Sequence, residues 1–359
     1  MIRKLLIVIV ILGLLAAAGA TGAGWWAWQR IHEPHQGWSG AEQMVTIEPG
    51  ASGSTILAGL ERDGVLVDAR LARLYLIHYL NDPPLRAGEY RFDEPVSTPE
   101  ALDKLIRGEV VTYPLTLIEG LTIDEVADAI AVAGFGDRAT LRAEMDGVER
   151  IRDLDPVATN LEGYLYPDTY HFARGTSEST IVDVLVRTFR QRSEAEAAAL
   201  VEVAASAPDA LTLRELVIVA SIVEKETQLE EERGLVASVY RNRLRIGMGL
   251  YADPTIIYAK KLDGTWDGNI RRPDLKLDSP YNTYVVAGLP PGPICSPSIA
   301  SVLAALQPAD TEFLYFVSRN DGSHVFAQSK AEHDRNVYRW QKLYWRKRWA
   351  EERQRRAGD

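Results

Sequence analysis

LVIVASIV (Leu216–Val223) runs straight into Glu224, Lys225, Glu226 and Thr227. Thr212, with Glu215 three residues on, forms a capping box that starts this apolar helix. An apolar wall takes water away from a carboxylate, raises its pKa and lets it hold a proton near neutral pH. A protonated Glu is what cleavage of an acetal by general acid catalysis requires. Taken alone, Glu224 reads first as the solvated opening residue of the next turn, and only its company changes that. Residues i and i+2 of a helix point to nearly opposite sides. Glu224 and Glu226 therefore cannot act as the paired carboxylates of a glycosidase: if Glu224 faces a cleft, Glu226 does not. Asp253 and Asp278 are remote partners whose first readings are helix cap and loop carboxylate.

The chain around this helix has 359 residues, enough for about two or three domains, and its apolar content supports a sizeable core. A formal charge of −10 leaves no basic domain for nucleic acid. The single cysteine, Cys295, rules out an internal disulfide and a cysteine-based zinc site. Arg3 and Lys4 precede Leu5–Gly24, an uncharged run long enough to cross a bilayer, and Trp25, Trp26 and Trp28 follow as an interfacial belt. This reads as a membrane anchor through residues 5–24, with the N-terminus in the cytoplasm and the rest outside. A cleaved signal peptide ending near Ala16–Ala20 is the rival reading.

Residues 29–43 read as a polar linker. Met44–Ile47 and Leu85–Phe92 read as strands; Ile56–Gly64, Asp68–Leu80 and Pro99–Arg107 as helices. Val45–Ile47 with Gly50 and Gly64 is echoed by Leu115–Leu117 with Gly120 and Gly134. A duplicated strand–turn–helix unit and a chance match explain this equally well. Beyond Gly134 the pattern is mainly helical: Ala139–Met145, Ser179–Val203, Val236–Arg245, Thr255–Lys261 behind an Asp253 cap, and Ser298–Leu306 behind Ser296–Pro297. Ser279–Pro297 reads as a stiff loop, Phe313–Val317 and His324–Phe326 as a hairpin, and the tail from Val337 as a basic helix.

No HExxH, no GxSxG around Ser221 and no phosphate loop is present. No metal and no cofactor is expected. Two loops offer aromatic faces and polar oxygens suited to sugar rings, Tyr164–Tyr170 and Tyr281-Asn282-Thr283-Tyr284. Each tyrosine taken singly reads first as an anchor of its loop.

ASIVEKET (Ala220–Thr227), LEGYLYPDTY (Leu161–Tyr170), NRLRIGMGLYADPTIIY (Asn242–Tyr258), SPYNTYVVAGLPPGPICSP (Ser279–Pro297) and GSHVFAQSKAEHDRN (Gly322–Asn336) together resemble the endolytic murein transglycosylase, or YceG-like, family. The resemblance covers nearly all the chain after the anchor, with the blocks in order. To the N-terminal transmembrane helix (1–28), the linker (29–43) and the basic C-terminal helix (337–359) it adds a small LysM-like module (44–110) and a mainly helical catalytic domain with short strands (111–336), so the chain is expected to be an α+β protein. It puts the catalytic acid at the first Glu of EKET, Glu224. It implies cleavage of the MurNAc–GlcNAc bond of nascent peptidoglycan strands without water, leaving anhydro-muramoyl ends and terminating elongation beside peptidoglycan synthases at the inner membrane. Tyr281, Asn282, Thr283, Tyr284 and Asp253 are the expected substrate-binding residues, and Glu226 is expected to be structural. Gly249-Leu250-Tyr251 departs from the family pattern, which puts a substrate role for Tyr251 in doubt. A muramidase using water, and a tethered non-catalytic peptidoglycan-binding scaffold, are the alternatives.

Overall fold

The computed structural model describes residues 2–204 and 211–346, with Arg348, Trp349, Arg353 and Arg355. The chain forms two compact units: Met1–Pro114 with His171–Gly175, and Leu115–Tyr170 with Thr176–Asp359.

The first unit opens with α1 (Ile2–His32), whose apolar residues from Leu6 to Leu15 are exposed along the helix. An uncovered, all-apolar helix of this length is a candidate membrane span. Then come β1 (Gln43–Ile47), α2 (Gly53–Arg62), α3 (Ala69–His78), β2 (Gly88–Phe92) and α4 (Thr98–Arg107). β1 and β2 pair antiparallel, with Gln43 opposite Phe92 and Ile47 opposite Gly88. Strand alternation turns Val45, Ile47, Tyr90 and Phe92 inward onto Leu57, Leu60, Leu76, Leu102 and Leu105. The stretch read as a linker is tied to this unit. α1 continues through His32, His35 and Val96 exchange backbone hydrogen bonds of 3.0 and 3.1 Å, and Trp38 is buried in the core.

The sequence echo extends to conformation. Gly64 and Gly134 have φ of 77° and 79°. After them Val65 N–H donates to Leu60 O at 2.8 Å, and Phe135 N–H to Ile130 O at 3.1 Å. This is the same left-handed glycine stop on both helices. Upstream, Gly50 and Gly120 turn the chain at φ 79° and 77° before Ser52 and Thr122 cap the helices.

The second unit contains β3 (Tyr113–Thr116, in part), α5 (Ile123–Val132), α6 (Arg138–Asp146), β4 (Thr169–Phe172, in part), α7 (Glu178–Ala204), α8 (Leu213–Glu226), α9 (Glu230–Arg245), α10 (Asp253–Leu262), α11 (Ile299–Leu306), the antiparallel pair β5 (Tyr315–Ser318) and β6 (His324–Ala327), and α12 (Lys330–Val337). Leu117 N–H donates to Asp168 O at 3.0 Å, so the LEGYLYPDTY stretch ends in a strand, which its polar composition concealed. α8 is the centre of the unit. Residues 216–223 are all buried, in a core shared with α9, α10 and α11. Ser221 donates to Ile218 O at 2.8 Å and accepts from Ile294 N–H at 3.1 Å, and Cys295 Sγ–H donates to Ser221 O at 3.3 Å. These bonds fasten the Pro- and Gly-rich loop to α8.

Several helix starts differ from the sequence reading. α10 is capped at Ala252, so Asp253 is its first helical residue and its carboxylate is free for other work. α11 is capped by Ser298, not Ser296. α9 begins at Glu230, because three glutamates at a helix N-terminus complement the dipole. The tail helix starts at Lys330 and passes through a wider turn at Tyr338–Leu343; residues 347, 350–352, 354 and 356–359 of the expected tail lie outside the described residues.

The Gly64 stop has a direct test. A Cβ there meets Gly37 C at 2.5 Å, and left-handed φ alone costs about 1–2 kcal/mol. Gly59, inside α2, meets only the tip of Arg62 at 3.7 Å. Gly64→Ala should therefore lose at least about 1–2 kcal/mol in chemical denaturation, whereas Gly59→Ala should gain up to about 1 kcal/mol.

Candidate active site

Glu224 and Glu226 occupy the last turn of α8 and stand about 200° apart around it. Glu224 points to α11. Its Oε2 accepts from Ser298 N–H at 2.8 Å and from the Ser298 hydroxyl at 2.5 Å, and its Oε1 lies 3.9 Å from Arg233 Nη2. Ser298 is the cap of α11 and accepts in turn from Ser301 N–H at 3.2 Å. The Glu224 side chain is 8 % exposed. It closes the N-terminus of α11, a placement that suits a carboxyl group. Lys225, between the two acids, donates to Gly120 O at 3.0 Å.

Glu226 points the other way, into a cleft of about 840 Å³ lined also by Arg243, Met248, Tyr251, Asp253, Tyr284, Tyr315, His324 and His333. Glu224 is not among its lining residues. The buried Tyr240 donates its hydroxyl to Glu226 Oε1 at 2.6 Å. Burial pushes the Glu226 carboxyl up to about 7; the Tyr240 bond opposes this, the nearby Asp253 charge adds to it and Arg243 opposes it. A carboxylic acid that keeps its proton to neutral pH is thus held at the wall of an open cleft.

The opposite wall is aromatic and cationic. Arg243 is buried, donating from Nε to Leu314 O at 2.7 Å and from Nη1 to Leu250 O. Its guanidinium lies 5.7 Å from the Tyr251 ring centre and 5.5 Å from that of Tyr315. Tyr284 donates to Asp253 Oδ1 at 2.7 Å, and its ring stands 5.5 Å from Tyr251. Tyr251 has φ 47°, a strained value for a residue with a side chain. A Cβ on Gly249 would meet the Tyr251 ring at 2.9 Å, so the glycine makes room for the aromatic face. His324 Nδ1 sits 2.6 Å from Glu232 Oε2, which fixes the imidazole at the cleft edge.

Of the residues expected to be catalytic or substrate-binding, Asp253 and Tyr284 line this cleft, while Glu224, Tyr281, Asn282 and Thr283 are not among its lining residues. Asn282 is fully buried, donates to Leu277 O at 2.9 Å and accepts from Tyr284 N–H at 3.0 Å. Thr283 Oγ1 accepts from Ala252 N–H at 3.0 Å and lies 3.0 Å from Thr255 Oγ1. These two are struts that set Tyr284 and the start of α10. The Tyr281 ring packs on Tyr258 at 4.8 Å. Tyr164 donates to Asp155 at 2.8 Å and Tyr170 to Tyr166 O at 2.6 Å, so both anchor their loop. Glu226, expected to be structural, lines the cleft, as do Arg243, Tyr315 and His324, which the sequence does not mark as site residues. Helical spacing had already said that only one of the two EKET acids can face a cleft, and it could not say which.

Glu162 is a second buried acid, away from the cleft lining. Ile123 N–H donates to its two oxygens at 3.0 and 3.1 Å and Tyr258 donates at 3.0 Å. Burial pushes it up to about 7. Among the described residues, no group of three or more His, Cys, Asp or Glu is placed to hold a metal ion.

The model of the YceG-like family matches residues 45–339. The chain belongs to the YceG-like family. It is 30% identical over 308 residues to a Bacillus subtilis protein named endolytic murein transglycosylase, covering 81% of this chain and 82% of that one. It is 30% identical over 325 residues to a protein of the same name from Streptococcus pneumoniae, where the match covers 82% of this chain and 57% of the longer relative. A crystal structure of a YceG-like protein from Listeria monocytogenes superposes with a TM-score of 0.55 at 31% identity, covering 83% of this chain and 99% of that one.

The two raised acids tie stability to pH. Each is held near 7 in the fold against an ordinary 4.5. The folded state binds the extra protons, so this contribution is complete below about 4.5 and is lost as pH rises through about 7. Glu162→Gln is neutral throughout. The difference in unfolding free energy between pH 5 and pH 8 should therefore shrink in that variant; an unchanged difference contradicts the assignment.

Proposed function

We propose that this family member is a membrane-anchored lytic transglycosylase that cuts the MurNAc–GlcNAc linkage within nascent glycan strands. The observation that carries the reading is Glu226: an acid holding its proton near neutral pH, at the wall of a cleft furnished with aromatic faces and polar groups. Relatives named endolytic murein transglycosylase supply the substrate class. The acid is assigned to Glu226 instead of Glu224, because the Glu224 oxygens are engaged by Ser298 and Arg233.

Protonated Glu226 donates to the glycosidic oxygen, and the bond to the MurNAc anomeric carbon breaks. Positive charge at that carbon is met by the substrate's own N-acetyl oxygen. Glu226, now a carboxylate, takes the proton of the MurNAc primary hydroxyl, which closes on the anomeric carbon as the anhydro ring. One group acting first as acid and then as base needs no second carboxylate and no water. Tyr240 holds the Glu226 side chain through both stages. General acid–base help is worth about 10² to 10⁴ in rate. Positioning supplies more, and here it falls to Arg243, Tyr251, Tyr284 and Tyr315 along the cleft. Asp253, held by Tyr284, sets the electrostatics of Glu226.

The anchor reading puts α1 across the inner membrane, N-terminus in the cytoplasm, and the chain after it on the outer side, within reach of strands emerging from peptidoglycan synthases. Cutting there ends elongation. The first unit serves as the LysM-like module that holds glycan.

Mass analysis of the products from uncrosslinked glycan strands tests the reaction. Anhydro-muramoyl ends are expected. Reducing ends would instead make Asp253 a water-activating partner, and absence of cleavage would favour a binding scaffold. The pH profile is a second test: the rate should fall as pH rises past about 7, where Glu226 loses its proton. Tyr251→Ala should raise KM more than it lowers kcat, since an aromatic platform contributes binding common to ground and transition states.

A further inference from the structure

We infer that α3 is a second membrane contact: an interfacial helix that seats the first unit on the lipid headgroup layer beside the span. The inference rests on the reading of α1 as a membrane anchor.

The apolar run of α1 ends at Gly24, and the helix continues without a break to His32. α3 packs against this continuation. Gly24, Ala27, Trp28 and Ile31 from α1, with Leu71, Leu74, Tyr75, His78 and Tyr79, line an apolar hollow of about 170 Å³. Ile31 is buried there, and the Trp28 ring lies 5.3 Å from that of Tyr79 and 6.3 Å from that of Tyr75. Tyr75 and Tyr79 stack at 5.2 Å.

Helical rise fixes the height of this packing. Gly24 to Ile31 is about 10 Å along the axis, and the headgroup layer on each side of the hydrocarbon core is about 5–8 Å deep. α3 is attached along that interval, at the level of the headgroups. Beside the hollow, large apolar side chains lie exposed on α3 and its C-cap, Leu74 at 52%, Ile77 at 39% and Tyr79 at 62%, flanked by the exposed Arg70 and His78 that suit lipid headgroups. Trp25 and Trp26 on α1 are also more than half exposed. Tyr and Trp around an aliphatic patch is the composition of the membrane–water boundary. The occupant of this face is therefore the lipid interface itself, continuous with the lipid around α1. The contact restricts how the first unit can pivot on its anchor.

The experiment uses the full chain in vesicles of phosphatidylethanolamine and phosphatidylglycerol. Cys295 is fully buried, so an introduced cysteine takes an NBD label selectively, with wild type as background. Labels are placed at Leu12→Cys, within the span, and separately at Leu74→Cys and Ile77→Cys. Emission is read with lipids carrying nitroxides at headgroup or deep acyl positions. The expected result is deep quenching at 12, together with blue-shifted emission and shallow quenching at 74 and 77. Quenching at 12 with water-like, unquenched emission at 74 and 77 overturns the inference and leaves the anchor intact. No quenching at 12 overturns the anchor reading and the inference with it.

Discussion

The last turn of one helix governs this protein. α8 is buried along its whole apolar run, and at its C-terminal end two carboxylates two residues apart must leave it in opposite directions. One of them, Glu224, closes the N-terminus of α11 through Ser298. The other, Glu226, is thereby committed to the far side, where Tyr240 receives it. The local helix geometry sends one acid to the cap of a neighbouring helix and the other to the cleft wall.

The surrounding parts follow from that division. Ser221, one turn earlier, fixes the loop at Ile294 and Cys295, and the same loop brings Asn282 and Thr283 into the interior. Those buried struts hold Tyr284 and the first turn of α10 in place. With Asp253 at the first helical position of α10, its carboxylate reaches Tyr284 and contributes negative charge near Glu226. Arg243 stands across from them, desolvated, which lowers its own pKa, and joins the aromatic wall to the backbone at Leu314 and Leu250. Water exclusion and the neighbouring Asp253 charge hold a proton on Glu226, against the Tyr240 hydroxyl and Arg243, which favour the carboxylate.

Much of the architecture was readable in residue order. The capping box at Thr212, the glycine stops at Gly64 and Gly134 and the hairpin of Phe313–Val317 with His324–Phe326 each have a local mechanism, and each appears where that mechanism requires. The resemblance carried by the EKET and YNTY blocks named the family. What sequence could not decide was side-chain direction. Glu224 and Glu226 are equally plausible from spacing, and only the position of Ser298, 74 residues on, separates them. Asn282 and Thr283 have the chemistry of sugar contacts, yet their polar atoms are consumed by backbone 2 to 31 residues away. Tyr251 was doubted because it departs from the family pattern; it nonetheless lines the cleft, in the space left by Gly249. Such outcomes depend on long-range packing, which composition and periodicity do not encode.

The most direct test compares Glu226→Gln with Glu224→Gln in the full chain, measuring release of anhydro-muramoyl products per folded molecule from uncrosslinked glycan strands. The account predicts a loss of about 10² to 10⁴ for Glu226→Gln. For Glu224→Gln it predicts most of the rate retained, with reduced thermal stability. Loss confined to Glu224→Gln, with Glu226→Gln still active, would contradict it.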